Sequence, residues 1–174
     1  MMERIAKFEK VSIEQFTKDM MKLFADRGGM DEQKAKDIYE AVKLPQRATS
    51  GSAGYDICTP IDITLKPSES IKIPTGIRVR MREDYCLFIM PRSGLGSKFR
   101  FQLNNTTGVI DSDYYNSDNE GHIFVPMIND SREDKTVVLK AGDAFVQGIF
   151  TVYGITEDDA VDTGRNGGFG STGR

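Results

Sequence analysis

From Pro45 onward the chain is a succession of short β-type runs, and this limits the fold more than any other feature. The runs are IDITL, SIKIP, GIRVRM, CLFIMP, HIFVPMI, TVVLK and AFVQGIFTVY, punctuated by prolines and glycines. Many short strands between turn signals predict an all-β sandwich or barrel. No helix-period pattern is legible beyond Pro45. At 174 residues, the chain is long enough for one domain with a real core.

The first 45 residues read differently. Arg4 to Val11 alternates apolar and charged side chains, as a half-buried strand does. Ser12 with Gln15 then forms a capping box that opens a helix. Ile13, Phe16, Met20, Leu23 and Phe24 give that helix one apolar face, and Gly28 and Gly29 stop it. Asp31 caps a second helix whose stripe is Ala35, Ile38, Tyr39 and Val42, with Pro45 beyond its end. Ser12 to Lys43 is therefore a helical hairpin. Packing of its stripe on the rest of the domain is the default reading; a protein partner or an oligomer-modifying role is the alternative. At the other end, Thr163 to Arg174 is Gly-rich and polar and reads as a flexible arm.

Composition excludes several function classes. A net charge of −3 gives no electrostatic case for nucleic acid or a membrane surface. Two cysteines, Cys58 and Cys86, and one histidine, His122, leave no zinc site. The cysteines read as reduced thiols. No apolar run approaches the roughly 20 residues of a transmembrane helix, and the N-terminus lacks a signal-peptide core, so a cytoplasmic protein is expected.

Four segments carry chemistry-bearing residues. Pro91 to Lys98 (PRSGLGSK) sets two glycines among Arg92, Ser93, Ser97 and Lys98, as a turn that holds phosphate oxygens would; its spacing is not that of a P-loop. Asn104 to Tyr115 reads as a hairpin followed by Asp111, Asp113, Tyr114 and Tyr115. A carboxylate there can serve as a base toward water, and a ring can stack on a sugar or base. Gln147 interrupts the apolar run Ala144 to Phe150, facing either solvent or a ligand. In the tail, Arg165, Phe169, Ser171 and Thr172 sit among glycines, as an arm closing over a phosphorylated ligand would have them. Each segment also has a plain reading as a surface turn, an outward strand position or disorder.

Taken in order, with Ser52 to Asp56 ahead of them, these segments resemble the five motifs of the trimeric dUTPase family. They are Ser52 to Asp56, Pro91 to Leu95, Gly108 to Tyr114, Gly142–Asp143 with Gln147, and Gly167 to Gly173. Arg4 to Val11 resembles the family's first strand, and Ser12 to Lys43 looks like an insertion after it. The resemblance implies a dUTPase-like jelly roll, a β-clip type of barrel, in a homotrimer with three shared active sites. It implies Mg²⁺-dependent hydrolysis of dUTP to dUMP and pyrophosphate, with Asp111 activating the water that attacks the α-phosphorus. Asn105, Gly108 and Ile110 would bind uracil, and Tyr114 would pack beneath deoxyribose and exclude a 2′-hydroxyl. Arg92, Ser93, Gly94 and Gln147 would hold phosphates, and Asp56 would stand on the metal side. Phe169 would stack on uracil, with Arg165, Gly170, Ser171 and Thr172 closing over the phosphates. Mg²⁺ would be bound by triphosphate oxygens, without a direct protein ligand.

The sequence departs from the family pattern at several places. Ala144 stands for an Arg, Gly148 for a larger apolar residue, and Phe99–Arg100 for a Gly-containing turn. Asn116 stands for a Gly, followed by the extra residues Ser117 to Glu120, and the fifth motif is one residue short after Arg165. A dCTP deaminase, which shares the fold, needs a glutamate on the strand after the third motif. Pro126 falls at that place, with Glu120 just outside the strand. A nucleotide sensor using the helical hairpin as its interaction element is the rival of another class.

Overall fold

In the computed structural model, residues 3–163 are described. Strand β1 (Ala6–Lys10) leads into helices α1 (Ile13–Phe24) and α2 (Glu32–Ala41). Six strands follow: β2 (Gln46–Arg47), β3 (Tyr55–Cys58), β4 (Ile63–Leu65), β5 (Ser70–Pro74), β6 (Ile77–Met81) and β7 (Tyr85–Pro91). A short helix, α3 (Ser93–Phe99), precedes β8 (Phe101–Leu103) and β9 (Gly108–Ile110). A 3₁₀ turn (Ser112–Asn116) leads to β10 (Phe124–Asn129), β11 (Val137–Leu139) and β12 (Ala144–Val152). The domain is mostly β, as expected. α3 and the 3₁₀ turn lie beyond Pro45, where the sequence shows no helix-period pattern: both are too short to show a period.

Among the described residues the strands do not close into one barrel; they form four separate sheets, ordered β1-β6, β5-β10-β8, β11-β4 and β2-β3-β12-β7-β9. Strand alternation builds the core between them. Ile71 and Ile73 of β5, Ile77 and Val79 of β6, and Val125 and Met127 of β10 point inward, while Arg78 and Arg80 alternate with them on the outer side. Asn129 is a buried polar exception, and its amide donates to the carbonyls of Leu65 and Lys135, both at 2.9 Å. Phe8, Tyr55 and Phe150 form an aromatic cluster, with centroids 5.4 to 5.8 Å apart, that fastens β1 to the five-stranded sheet.

The helical hairpin forms where the sequence places it and buries its stripe. Phe16, Met20 and Ala35 are fully buried, with Leu23, Ile38, Tyr39 and Val42 packed beside them. Gly76, in the left-handed region at φ +77°, lies under this face: a Cβ there would stand 3.0 Å from Val42 and 3.2 Å from Phe16. The caps are Ser12 and Asp31, whose side chains accept from the amides of Gln15 and Lys34. The capping box differs from expectation. Gln15 turns its amide to Asp19 at 2.7 Å, and the Ser12 N–H goes instead to Glu120 at 2.7 Å. No helix among the described residues is long and apolar enough to cross a membrane.

Candidate active site

A single-residue bulge assembles the first half of the site. β12 pairs with β3 as Ala144↔Cys58, then Val146↔Ile57, so Phe145 is the extra residue. Phe145 and Val146 are consequently both buried. The shift also sets Gln147 opposite Asp56, where an unbroken ladder would have set it opposite Tyr55. Directly opposed residues share a face, so the amide and the carboxylate stand side by side. Arg92 joins them: its Nε is 3.2 Å from Asp56 Oδ1. Gln147 Nε2 lies 3.5 Å from the Pro91 carbonyl, a contact at the outer limit of a hydrogen bond. Gly54 completes the group by lacking a side chain, since a Cβ there would collide with Gln147 Oε1. Ser93 and Gly94 occupy the first turn of α3, which Arg92 opens without a side-chain cap.

The departures in this region have local explanations. Gly148 is buried against Leu87, whose Cδ1 would be 2.9 Å from an added Cβ, so Leu87 fills the space a larger residue would take. Arg100 closes α3 in the left-handed region at φ 51°, where glycine is usual. Its guanidinium is held by Asp130, Nη2 to Oδ2 at 2.8 Å.

The second half is built on β9 and the 3₁₀ turn. The predicted hairpin is instead a crossing between sheets. β8 pairs with β10 and β9 pairs with β7; a lone bridge, Leu103↔Thr106, joins the two arms. Thr106 takes φ 67° at the tip, and Asn105 beside it is exposed. Gly108 is buried, and a Cβ there would press Ile89 and Leu103 at 3.3 Å. Ile110 is buried and anchors the strand, while Asp111, the next residue, is exposed and opens the 3₁₀ turn. Tyr114 within that turn is 2% exposed. Its hydroxyl donates to the His122 carbonyl at 2.8 Å and accepts from Asn119 Nδ2 at 2.9 Å.

The two halves lie at opposite ends of β7. Ile110 pairs with Leu87, which puts Asp111 level with Cys86, whereas Arg92 follows Pro91 at the other end. Six strand steps separate these levels, roughly 20 Å. Arg165, Phe169, Gly170, Ser171 and Thr172 lie outside the described residues. Among the described residues no three His, Cys, Asp or Glu side chains gather as a metal cage. Cys58 and Cys86 are free thiols, and burial pushes both thiol pKa values up.

Sequence reading missed three residues bound up with Tyr114: Asn119, Glu120 and His122. No local signal marks Glu120 and His122, since their partners Ser12, Asp19 and Gly76 are brought in by the fold, and Asn119 reaches Tyr114 five residues back.

Comparison with known proteins adds an independent line. Residues 40–173 match the family model described as dUTPase. The chain is similar to a deoxyuridine 5′-triphosphate nucleotidohydrolase of Lactococcus lactis, 41% identical over 135 residues, which cover 76% of this chain and 89% of that one. Its fold is similar to the crystal structure of a dUTPase from Streptococcus mutans, with a TM-score of 0.62 and 32% identity over 86% of this chain and 98% of the other. A mutant dUTPase of phage phi11 of S. aureus, whose structure concerns coordination of a structural Mg(II) ion, shares the fold at a TM-score of 0.59. It is 24% identical over 71% of this chain and 92% of its own.

Proposed function

The chain belongs to the dUTPase family, and from that premise we propose that it hydrolyses dUTP to dUMP and pyrophosphate by attack of water at the α-phosphorus. Such a reaction limits uracil in DNA and supplies dUMP for dTMP synthesis, and a cytoplasmic enzyme fits it. The observation that carries the mechanism is the roughly 20 Å between the Asp111 level and Arg92 along β7. Asp111 has to orient a water about 3–3.5 Å from the α-phosphorus, while Arg92, Ser93, Gly94 and Gln147 hold oxygens of the same triphosphate. One copy of the chain does not bring these groups together. Two copies do, if the Asp111 end of one meets the Arg92 end of the next. Closed head-to-tail contact of this kind gives a ring, here a homotrimer with three sites.

Within each site the roles follow from the chemistry. Asp111 accepts a proton from the attacking water as general base. The uracil edge is bound by the Asn105 to Ile110 crossing, where a mismatched edge leaves buried groups unpaired. Tyr114 lies under the sugar. Arg92 and Gln147 stabilise charge that develops on the leaving pyrophosphate. Mg²⁺, when brought in with the triphosphate, would supply further charge neutralisation, with Asp56 standing on the metal side. Asp56, already paired with Arg92, orients that guanidinium. The arm residues Arg165, Phe169, Gly170, Ser171 and Thr172 would close the site and exclude water. Deamination of dCTP is disfavoured: Pro126 sits in β10 opposite Lys72, and Glu120 is committed to Ser12. A protein partner at the helical hairpin would have to read its polar outer face, because the apolar stripe is buried.

The test is pyrophosphate release from dUTP, dCTP, dTTP and UTP side by side, with Mg²⁺ and with EDTA. Release from dUTP alone, abolished by EDTA, is expected. Binding of dUTP without release would mean a sensor, and ammonia from dCTP would mean a deaminase.

A further inference from the structure

The extra residues after the third motif and the helical insertion, remote in sequence, meet around Tyr114. Glu120 accepts from the Ser12 amide at 2.7 Å and from the Ser12 hydroxyl at 2.6 Å. Asn119, next to it, donates both amide hydrogens inward, to the Tyr114 hydroxyl at 2.9 Å and the His122 carbonyl at 3.2 Å. The reverse amide orientation would set two oxygens against each other at the His122 carbonyl.

His122 is fully buried and held at both ring nitrogens. Nε2 accepts the Gly76 amide at 2.9 Å, which places the ring proton on Nδ1, facing Asp19 of α1 at 2.6 Å. The loop backbone is sharply bent to make this possible. Glu120 and Gly121 both take the left-handed conformation, at φ 59° and φ 70°, and a Cβ at Gly121 would stand 2.7 Å from the Tyr115 Cα. A non-glycine residue persists in that conformation where its surroundings hold it, and here the holder is the first turn of α1.

We propose that the helical hairpin, through Ser12 and Asp19, fixes the plane of the Tyr114 ring, so that Glu120, Asn119 and Asp19 are positioning residues for the choice of sugar. The inference rests on the reading of Tyr114 as the floor beneath deoxyribose. Excluding one hydroxyl by fit requires a wall held within about 0.5 Å. Tyr114 is held through its hydroxyl by the His122 carbonyl and the Asn119 amide, and both lead back to α1. The insertion is thereby part of the selectivity apparatus while touching no substrate itself.

The experiment compares kcat/KM for dUTP and UTP in the wild-type chain and in Glu120→Ala, Asn119→Ala and Glu120→Gln. Leu65→Ala, a core variant on β4, serves as the control for general softening. Wild type should prefer dUTP. In Glu120→Ala and Asn119→Ala that preference should fall about tenfold, with kcat for dUTP changed less than about threefold. Glu120→Gln keeps an acceptor for the Ser12 amide and should restore most of the preference. If Glu120→Ala fails to fold, Asn119→Ala tests the same link from the other side. An unchanged preference in the foldable clamp variants overturns the proposal, as does an equal loss in Leu65→Ala. Wild type turning over dUTP and UTP alike would overturn the role of Tyr114 itself, and the proposal with it.

Discussion

Gly54 and Gln147 are in contact through the space where a side chain at Gly54 would be: an added Cβ would overlap Gln147 Oε1. The obstructing atom is the end of a flexible side chain, so an alanine there displaces the amide and leaves the backbone in place. Gly54→Ala should therefore raise KM for dUTP about tenfold while changing the melting temperature little. Steady-state kinetics beside a thermal melt checks this; a large melting shift with unchanged KM would show that Gln147 has no phosphate to hold.

Asp111→Asn retains size and removes the proposed base. Turnover should fall about 10²- to 10⁴-fold, with dUTP still bound. Calorimetry on the variant, paired with pyrophosphate release, separates the two effects. Near-normal turnover would remove Asp111 from the mechanism.

Sharing of sites between copies has a direct test. Asp111→Asn and Arg92→Ala damage opposite ends of β7, and each alone should be inactive. Refolded together in equal amounts, they should regain about a quarter of wild-type activity, because random mixing pairs an intact Asp111 end with an intact Arg92 end at that frequency. No recovery in a mixture shown to contain hybrid oligomers would mean that each copy completes its own site.

The packing of α1 on the sheets predicts a large stability effect. Phe16 is fully buried against Tyr39, with ring centroids 5.7 Å apart, and over Gly76. Phe16→Ala should cost about 3–5 kcal/mol, read from urea unfolding. A loss below about 1 kcal/mol would mark the hairpin as separable decoration.

Acid sensitivity should localise partly to β1. Hydrogen bonds from Lys7 and then from the Tyr115 hydroxyl lower the Glu9 carboxyl from 4.5 to about 2. A depressed folded-state value contributes stability that is complete above the unfolded pKa and lost as pH falls through the folded one. The stability difference between wild type and Glu9→Gln should thus be constant above about pH 5 and shrink between 4.5 and 2. Urea midpoints across pH 7 to pH 3 test it, and a difference that grows toward acid would contradict the assignment.

Much of this protein was written locally. Ser12 and Asp31 start helices because their side chains satisfy amides three residues on, and the stripes from Phe16 to Val42 state which faces are buried. The strands β5, β6, β7 and β10 follow from runs of β-branched and apolar residues, and the order of motifs was enough to indicate the family. Short elements were less legible: β3, β8 and α3 carry too few residues for a period to emerge. Other features depended wholly on the tertiary structure. The bulge at Phe145 aligns Gln147 with Asp56, β8 and β9 separate into different sheets, and Glu120 replaces Gln15 at the Ser12 amide. Side-chain periodicity specifies which face a residue occupies, but leaves open which backbone edge it meets and in what register. Those choices come from packing between distant segments, and they decide that Asp111 and Arg92 stand at opposite ends of one strand.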